Sequence, residues 1–213
     1  MYRARLVARA FLAGIMISIG GTVYVNLVET SKIVGAMLFA VGLVTICAFG
    51  LALFTGMAGY LFDGDAKKNV LDLLTVWAGN FVGCVTTGFM LRAVLGGSDF
   101  IELAETVAAG KLLVGPGRAF VTGMLCGVLM YVAVDNFRNS QHEIGKYLGI
   151  LLCVPAFILA GFEHSIADMY FLAAGLGTDL FALDPIFLIV CVTAGNLIGS
   201  VVFAEIRKFG TRK

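Results

Sequence analysis

The chain has 213 residues, 60% of them hydrophobic and only 14% charged, with a formal net charge of +1 and a mean hydropathy of +0.97. A soluble domain carries about a quarter charged residues, so this composition excludes a soluble enzyme and reads as a polytopic helical membrane protein. A near-neutral balance without a basic cluster gives no sign of nucleic-acid binding.

Six apolar segments near the length that a bilayer requires, about 20 residues, follow one another. The first runs from roughly Ala4 to Val28. Basic residues precede it, as in a signal peptide, but its length and the lack of a cleavage site make it the first helix. The second, Ile33 to about Phe62, is too long and too glycine-broken for one plain helix. Val70 to Leu95 is the third. The longest extramembrane stretch, Gly96 to Gly117, leads to the fourth, Ala119 to Val134. The fifth, Tyr147 to Ala174, is again overlong and is broken around Gly161. The sixth starts at Pro185, with Asp184 as N-cap, and ends near Val202. The five cysteines lie inside apolar segments, without metal-ligand or disulfide spacing, and read as buried free thiols.

Basic residues set the expected orientation. Arg3, Arg5, Arg9, Lys67, Lys68, Arg138, Lys146, Arg207, Lys208, Arg212 and Lys213 fall on the cytoplasmic side, and Lys32, Arg92, Lys111 and Arg118 outside. The expectation is a multi-pass protein of the cell (inner) membrane with both termini cytoplasmic.

The sequence repeats. Arg9-Ala10-Phe11 recurs as Arg118-Ala119-Phe120, Thr55 aligns with His164, and Tyr60-Leu61-Phe62 aligns with Met169-Tyr170-Phe171, all 109 positions apart. Ala78-Gly79-Asn80 recurs as Ala194-Gly195-Asn196 at an offset of 116. Three spans per half make the halves inverted. The expectation is therefore an all-α membrane protein, one transmembrane domain over 1–213. Its six helices form a 3+3 inverted repeat, approximately 1–95 and 118–208, with the second and fifth helices broken. Corresponding broken helices in inverted halves point to a transport site at the midplane.

The chemistry concentrates at Gly161-Phe162-Glu163-His164-Ser165, which puts ionisable groups inside an apolar segment. Such groups are costly in hydrocarbon and sit where water, a partner or a substrate meets them; a polar helix end at the lipid headgroups is the competing reading. Half-helices are expected to begin at about Gly56 and Ser165, with their N-termini favouring an anion. Thr55 offers a hydroxyl there and His164 a titratable donor. Glu163 is expected either to join them or to turn away and bond loop amides. Phe39, Leu43, Leu53, Phe54 and Phe157 surround this centre, as packing or as dry constrictions. Lys111 lies in the external loop, where a lysine is solvated or draws anions to the mouth. Asp168, four residues after His164, shares its face and bears on its protonation. Gly14, Gly20, Gly79, Gly83, Gly123 and Gly127 allow close helix approach, within a protomer or between protomers. There is no carboxylate cage for a metal and no cofactor motif.

Phe162-Glu163-His164-Ser165 followed by Met169-Tyr170-Phe171, Leu53-Phe54-Thr55-Gly56, and the Gly-Asn pairs at Asn80 and Asn196 resemble the formate/nitrite transporter family across nearly the whole chain. The resemblance implies an aquaporin-like protomer with its own pore, a homopentamer, and passage of formate, nitrite or hydrosulfide, with or without a proton. It assigns the central pair to His164 and Thr55, the external lysine to Lys111, and the constrictions to Phe39, Leu43, Leu53, Phe54 and Phe157. The chain departs from the family pattern at Ala40, Ala52, Met57, Gly127 and Asp168.

The expected function is a membrane channel for a small monovalent weak-acid anion, either passive or proton-linked through His164. A hydrosulfide channel is the alternative on the same fold, and a non-conducting sensor or scaffold is a third reading. A membrane enzyme using His164 and Glu163 as acid and base is a fourth, but no nucleophile, metal set or cofactor motif accompanies them.

Overall fold

The computed structural model describes residues 1–211, so Arg212 and Lys213 of the expected cytoplasmic set lie outside the described residues. Its regular elements are all helices: α1 Tyr2–Leu27, α2 Lys32–Ala48, α3 Phe54–Met57, α4 Ala66–Leu95, α5 Asp99–Leu112, α6 Pro116–Asn139, α7 Glu143–Leu159, α8 Ser165–Leu176 and α9 Leu183–Thr211. Short 3-10 turns, Ala58–Tyr60 and Gly177–Phe181, follow α3 and α8. Among the described residues four helices, α1, α4, α6 and α9, are long and apolar enough to cross a bilayer.

The caps explain several boundaries. Asp65 accepts from the Lys68 amide at 3.1 Å and starts α4 ahead of the expected Val70. Pro116 occupies the first turn of α6, where its missing N–H is not needed. At α9 the expectation fails by position: the helix already includes Leu183, which puts Asp184 in the first turn rather than at the cap. There its charge still complements the positive helix end.

Both breaks use the same device. Gly50 (φ +60°) and Gly161 (φ +70°) take the left-handed conformation that ends a helix without a Cβ penalty. The Gly50 and Leu51 amides return to the carbonyls of Cys47 and Ile46. The Gly161 and Phe162 amides return to those of Ile158 and Phe157. Each is a complete Schellman cap, which satisfies the carbonyls of Ile46 and Cys47 at the end of α2 and of Phe157 and Ile158 at the end of α7.

The expected extramembrane stretch is itself largely helical. Phe100, Ile101, Ala104 and Ala108 form a buried stripe along α5, and α5 packs against α8. The long helices pair as α1 with α4 and α6 with α9, while α2 lies on α1 and α7 on α6. Small residues permit this. A Cβ on Gly83 would meet the Phe11 carbonyl, and one on Gly195 the Phe120 carbonyl. All six glycines singled out from the sequence face other helices of the same chain, so they serve packing inside the protomer. The five cysteines are free, with Cys84, Cys126 and Cys153 buried and Cys47 and Cys191 partly exposed.

Candidate functional site

Two asparagines fix the breaks. Asn80 on α4 accepts the Phe54 amide at 2.9 Å through Oδ1, and its Nδ2 donates to the carbonyls of Ala10 and Ala52. Asn196 on α9 accepts the Ser165 amide at 2.9 Å and donates to Gly123 and Glu163. Both are fully buried. An unpaired buried backbone group costs about 1–3 kcal/mol, and each asparagine satisfies three.

This bonding corrects two expectations. The first half-helix begins at Phe54, not Gly56, because Asn80 takes the Phe54 amide. The equivalence of the breaks also differs from the offset of 109: Phe54 corresponds to Ser165, and Ala52 to Glu163. His164 therefore matches Leu53, both being N-caps, while Thr55 lies within its half-helix.

The two polar residues nevertheless meet. Thr55 Oγ1 and His164 Nε2 are 2.8 Å apart, with Thr55 fully buried and His164 1% exposed. His164 Nδ1 accepts the Ala167 amide at 3.0 Å. A ring nitrogen that accepts from an amide carries a lone pair, so the proton of the neutral ring sits on Nε2 and is donated to Thr55. This cap, together with Asn196, takes two of the first three α8 amides. The half-helix end is thus less open to an anion than its spacing predicted.

Cavities lie on either side of the pair. One, of about 140 Å³, is lined by Tyr24, Phe39, Lys111, Phe157, His164 and Asp168 among others. The other, of about 430 Å³, is lined by Arg9, Leu53, Gly56, Met57, Arg138 and Lys146 among others. Phe157 stacks on the His164 ring (5.5 Å between centroids, 20° interplanar), and Phe39 meets Phe157 edge-on at 6.2 Å. Leu43 and Phe54 are buried in the core and are not among the lining residues of either cavity.

Of the two expectations for Lys111, the solvated loop position is not the one it takes. It lies in the last turn of α5 with its side chain 20% exposed and ion-paired to Glu163 and, at 2.9 Å, to Asp168. Burial alone would lower its pKa, but Asp168 and Glu163 outweigh that and hold it above the ordinary lysine value. Glu163 thus does not turn away to bond loop amides. Asp168 faces Lys111, and no bond joins it to His164, whose ring nitrogens are both engaged elsewhere.

In the sequence Arg9, Arg138 and Lys146 bear on orientation, and Arg9 on the repeat, but none is singled out as a site residue. Arg9 Nε donates to the Gly50 carbonyl at 2.7 Å, and the Arg138 guanidinium lies 4.6 Å from the Tyr60 ring centroid. Arg9 inside an apolar segment was the available signal. Of the departures, Met57 lines the larger cavity, Gly127 packs on the Asn196 backbone, Ala40 is buried, and Ala52 holds the place of Glu163 without its carboxylate.

A family model described as "Formate/nitrite transporter" matches residues 1–209. A relative named "Probable formate transporter", from Methanothermobacter thermautotrophicus, is 29% identical over 93% of this chain and 85% of its own length. Among solved structures, an "FNT family ion channel" superposes with a TM-score of 0.87 at 25% identity, covering 99% of this chain and 91% of that one. A "Pentameric formate channel with formate bound" shares the fold with a TM-score of 0.83 at 23% identity, covering 98% and 96%.

Proposed function

The chain belongs to the formate/nitrite transporter family, and we propose that it conducts a small monovalent weak-acid anion, formate or nitrite, past the Thr55–His164 pair. What carries this reading is the position of that pair, buried between two cavities. An anion leaving either cavity meets a hydroxyl and an imidazole N–H in a low-dielectric passage, where hydrogen bonds to charge are strong. Phe39, Phe157 and Leu53 are buried and apolar and offer no hydrogen bonds to an anion, so the donors must replace the part of its hydration that it sheds there. In this geometry His164 acts as a donor from Nε2. A proton route through the ring requires Nδ1 to release the Ala167 amide, a local opening of α8.

The reading includes a 3+3 inverted repeat of six crossings, with α2–α3 and α7–α8 as the broken ones. The matching Schellman caps and asparagine locks support it. Both termini then face the cytoplasm of a cell-membrane protein, and the Lys111 cavity opens outward. The arginine-bearing cavity gathers anions on the inner side. A homopentamer is proposed from the assembly of the formate-bound structural neighbour. Exposed apolar residues such as Ile33, Leu74, Leu152 and Val190 supply surface for lipid and for neighbouring protomers.

Hydrosulfide is the second reading. Asp168, a second carboxylate on Lys111, favours it, because a cluster with excess negative charge admits a weak acid near neutrality better than a fully ionised anion.

Stopped-flow uptake into proteoliposomes, run with formate, nitrite, lactate and hydrosulfide, tests the reading. Formate and nitrite are expected to enter well above the protein-free rate. Hydrosulfide alone above background selects the second reading, and no uptake of any of the four ends the transport reading.

A further inference from the structure

Within the Lys111 cluster the charges do not balance. One ammonium faces two carboxylates, Glu163 and Asp168, both within ion-pair distance of the same nitrogen. Asp168 is fully buried, and among the described residues neither of its oxygens has a hydrogen-bond partner of proper geometry. Residues of this cluster line the cavity beside His164. With both carboxylates ionised, an anion that has passed the exposed Lys32 at the cavity wall meets the net negative charge of the buried cluster in a medium that screens poorly. The opposite cavity has no such feature: Arg9, Arg138 and Lys146 line it, and Ala52 stands where Glu163 stands in the other half.

We propose that Glu163 and Asp168 form a carboxyl pair on Lys111 that must hold one proton for an anion to reach His164. The inference rests on the transport reading and assigns Asp168 as a specificity-determining residue for it. With one proton bound, the cluster is a neutral ammonium–carboxylate pair plus a carboxylic acid, and the acid O–H becomes a donor aimed into the cavity. Without it, the pair repels the substrate. The proton comes from water on the Lys111 side and stays on the pair while the anion passes; no covalent bond forms or breaks beyond that O–H.

Other groups around Asp168 do not supply the missing charge. Lys111 is the α5 contribution and is already counted. Tyr24 on α1, Cys84 on α4 and Cys126 on α6 are neutral near physiological pH. Lys32 on α2 lines the same cavity but is not among the ion-pair partners of either carboxylate. His164 at the break is capped by an amide and bonded to Thr55. From α3 comes Thr55, and from α9 the neutral Asn196, bonded to the Glu163 carbonyl. Arg92 on α4 is committed to the far end of α8, at the carbonyls of Ala174 and Gly175, and to Glu105.

The test is isotope exchange of formate across proteoliposomes at the same pH inside and out, from about pH 5 to pH 8, per folded oligomer. The wild-type rate should fall on the alkaline limb by about tenfold per pH unit, the slope of one proton. Asp168→Asn and Glu163→Gln each leave one carboxylate on one ammonium, and each should flatten that limb to within about twofold per unit. Bulk formic acid is the same for every variant, so a slope lost in the variants belongs to the protein. A flat wild-type profile, or variants that keep the wild-type slope, overturns the proposal. Infrared titration of the reconstituted protein gives a readout independent of transport. A protonated-carboxyl band should be present in the wild type and missing in both variants; its absence from the wild type also overturns the proposal. If wild-type protein exchanges no formate at any pH while the band is present, the transport reading has failed and the carboxyl pair has not.

Discussion

Thr55 and His164 are 109 residues apart in sequence and 2.8 Å apart in space, yet they hold different positions at the two helix breaks. One lies inside a half-helix and the other caps one. Because the Ala167 amide claims Nδ1, the neutral ring should carry its proton on Nε2. Nitrogen NMR of the histidine-labelled protein should show that tautomer for His164, with His142 identified by substitution. Thr55→Val should leave Nε2–H unpaired, cost about 1–3 kcal/mol of stability, and slow anion flux per folded oligomer. A His164 signal with Nδ1 protonated would remove the donor role assigned to Nε2.

Asn80 and Asn196 each close three backbone groups around a break. Asn196→Ala would orphan the Ser165 amide and the carbonyls of Gly123 and Glu163. The expected result is a loss of about 3 kcal/mol or more, read as a lower thermal unfolding midpoint in detergent. Faster amide exchange at Ser165 should accompany it, and unchanged exchange there would separate Asn196 from the break.

Glycine packing gives a contrast within one chain. A Cβ at Gly199 would press on the Met124 backbone, with its carbonyl carbon at 2.6 Å, whereas Gly110 on α5 has open space. Gly199→Ala should destabilise by about 1–3 kcal/mol. Gly110→Ala should stabilise by about 0.5–1 kcal/mol through backbone entropy. Equal unfolding midpoints for the two variants would contradict the α6–α9 contact.

Which parts were legible follows from where the information resides. The breaks were legible locally, because Gly50 and Gly161 interrupt apolar runs that are too long for one span. The start of α3 was not, because the group that fixes it is Asn80, 26 residues away. The helix α5, within the expected extramembrane stretch, carried usable signals in its apolar stripe, with Asp99 and Glu102 in the first turn and Lys111 in the last. What no spacing revealed is that Lys111 would fold back onto Glu163 and Asp168, 52 and 57 positions later. The His164–Asp168 spacing of four suggested a coupled pair, but the Lys111 ammonium brought in from α5 outcompetes the ring, which is already capped.

Orientation is open to direct labelling. Glu102 is exposed on α5. In a background without the five native cysteines, Glu102→Cys should react with an impermeant thiol reagent from outside intact cells, and a cysteine at the exposed Lys67 only after the membrane is opened. The reverse pattern would invert the proposed topology and place the carboxyl cluster at the cytoplasmic mouth.

Phe157 is the residue through which packing and selectivity are most directly opposed. It is 3% exposed, stacks on His164 and receives the edge of Phe39. Phe157→Ala should cost about 3–5 kcal/mol as a core truncation. If the ring does no more than pack, the folded survivors should transport as the wild type does. If it closes the passage beside the imidazole, its removal admits water, weakens the demand for dehydration, and lets poorly matched anions through. The expected outcome is a higher formate flux per folded oligomer and a several-fold smaller formate-to-chloride ratio. Measured in the same proteoliposomes, an unchanged ratio would place the selective step at Leu53 or at the Thr55–His164 pair itself.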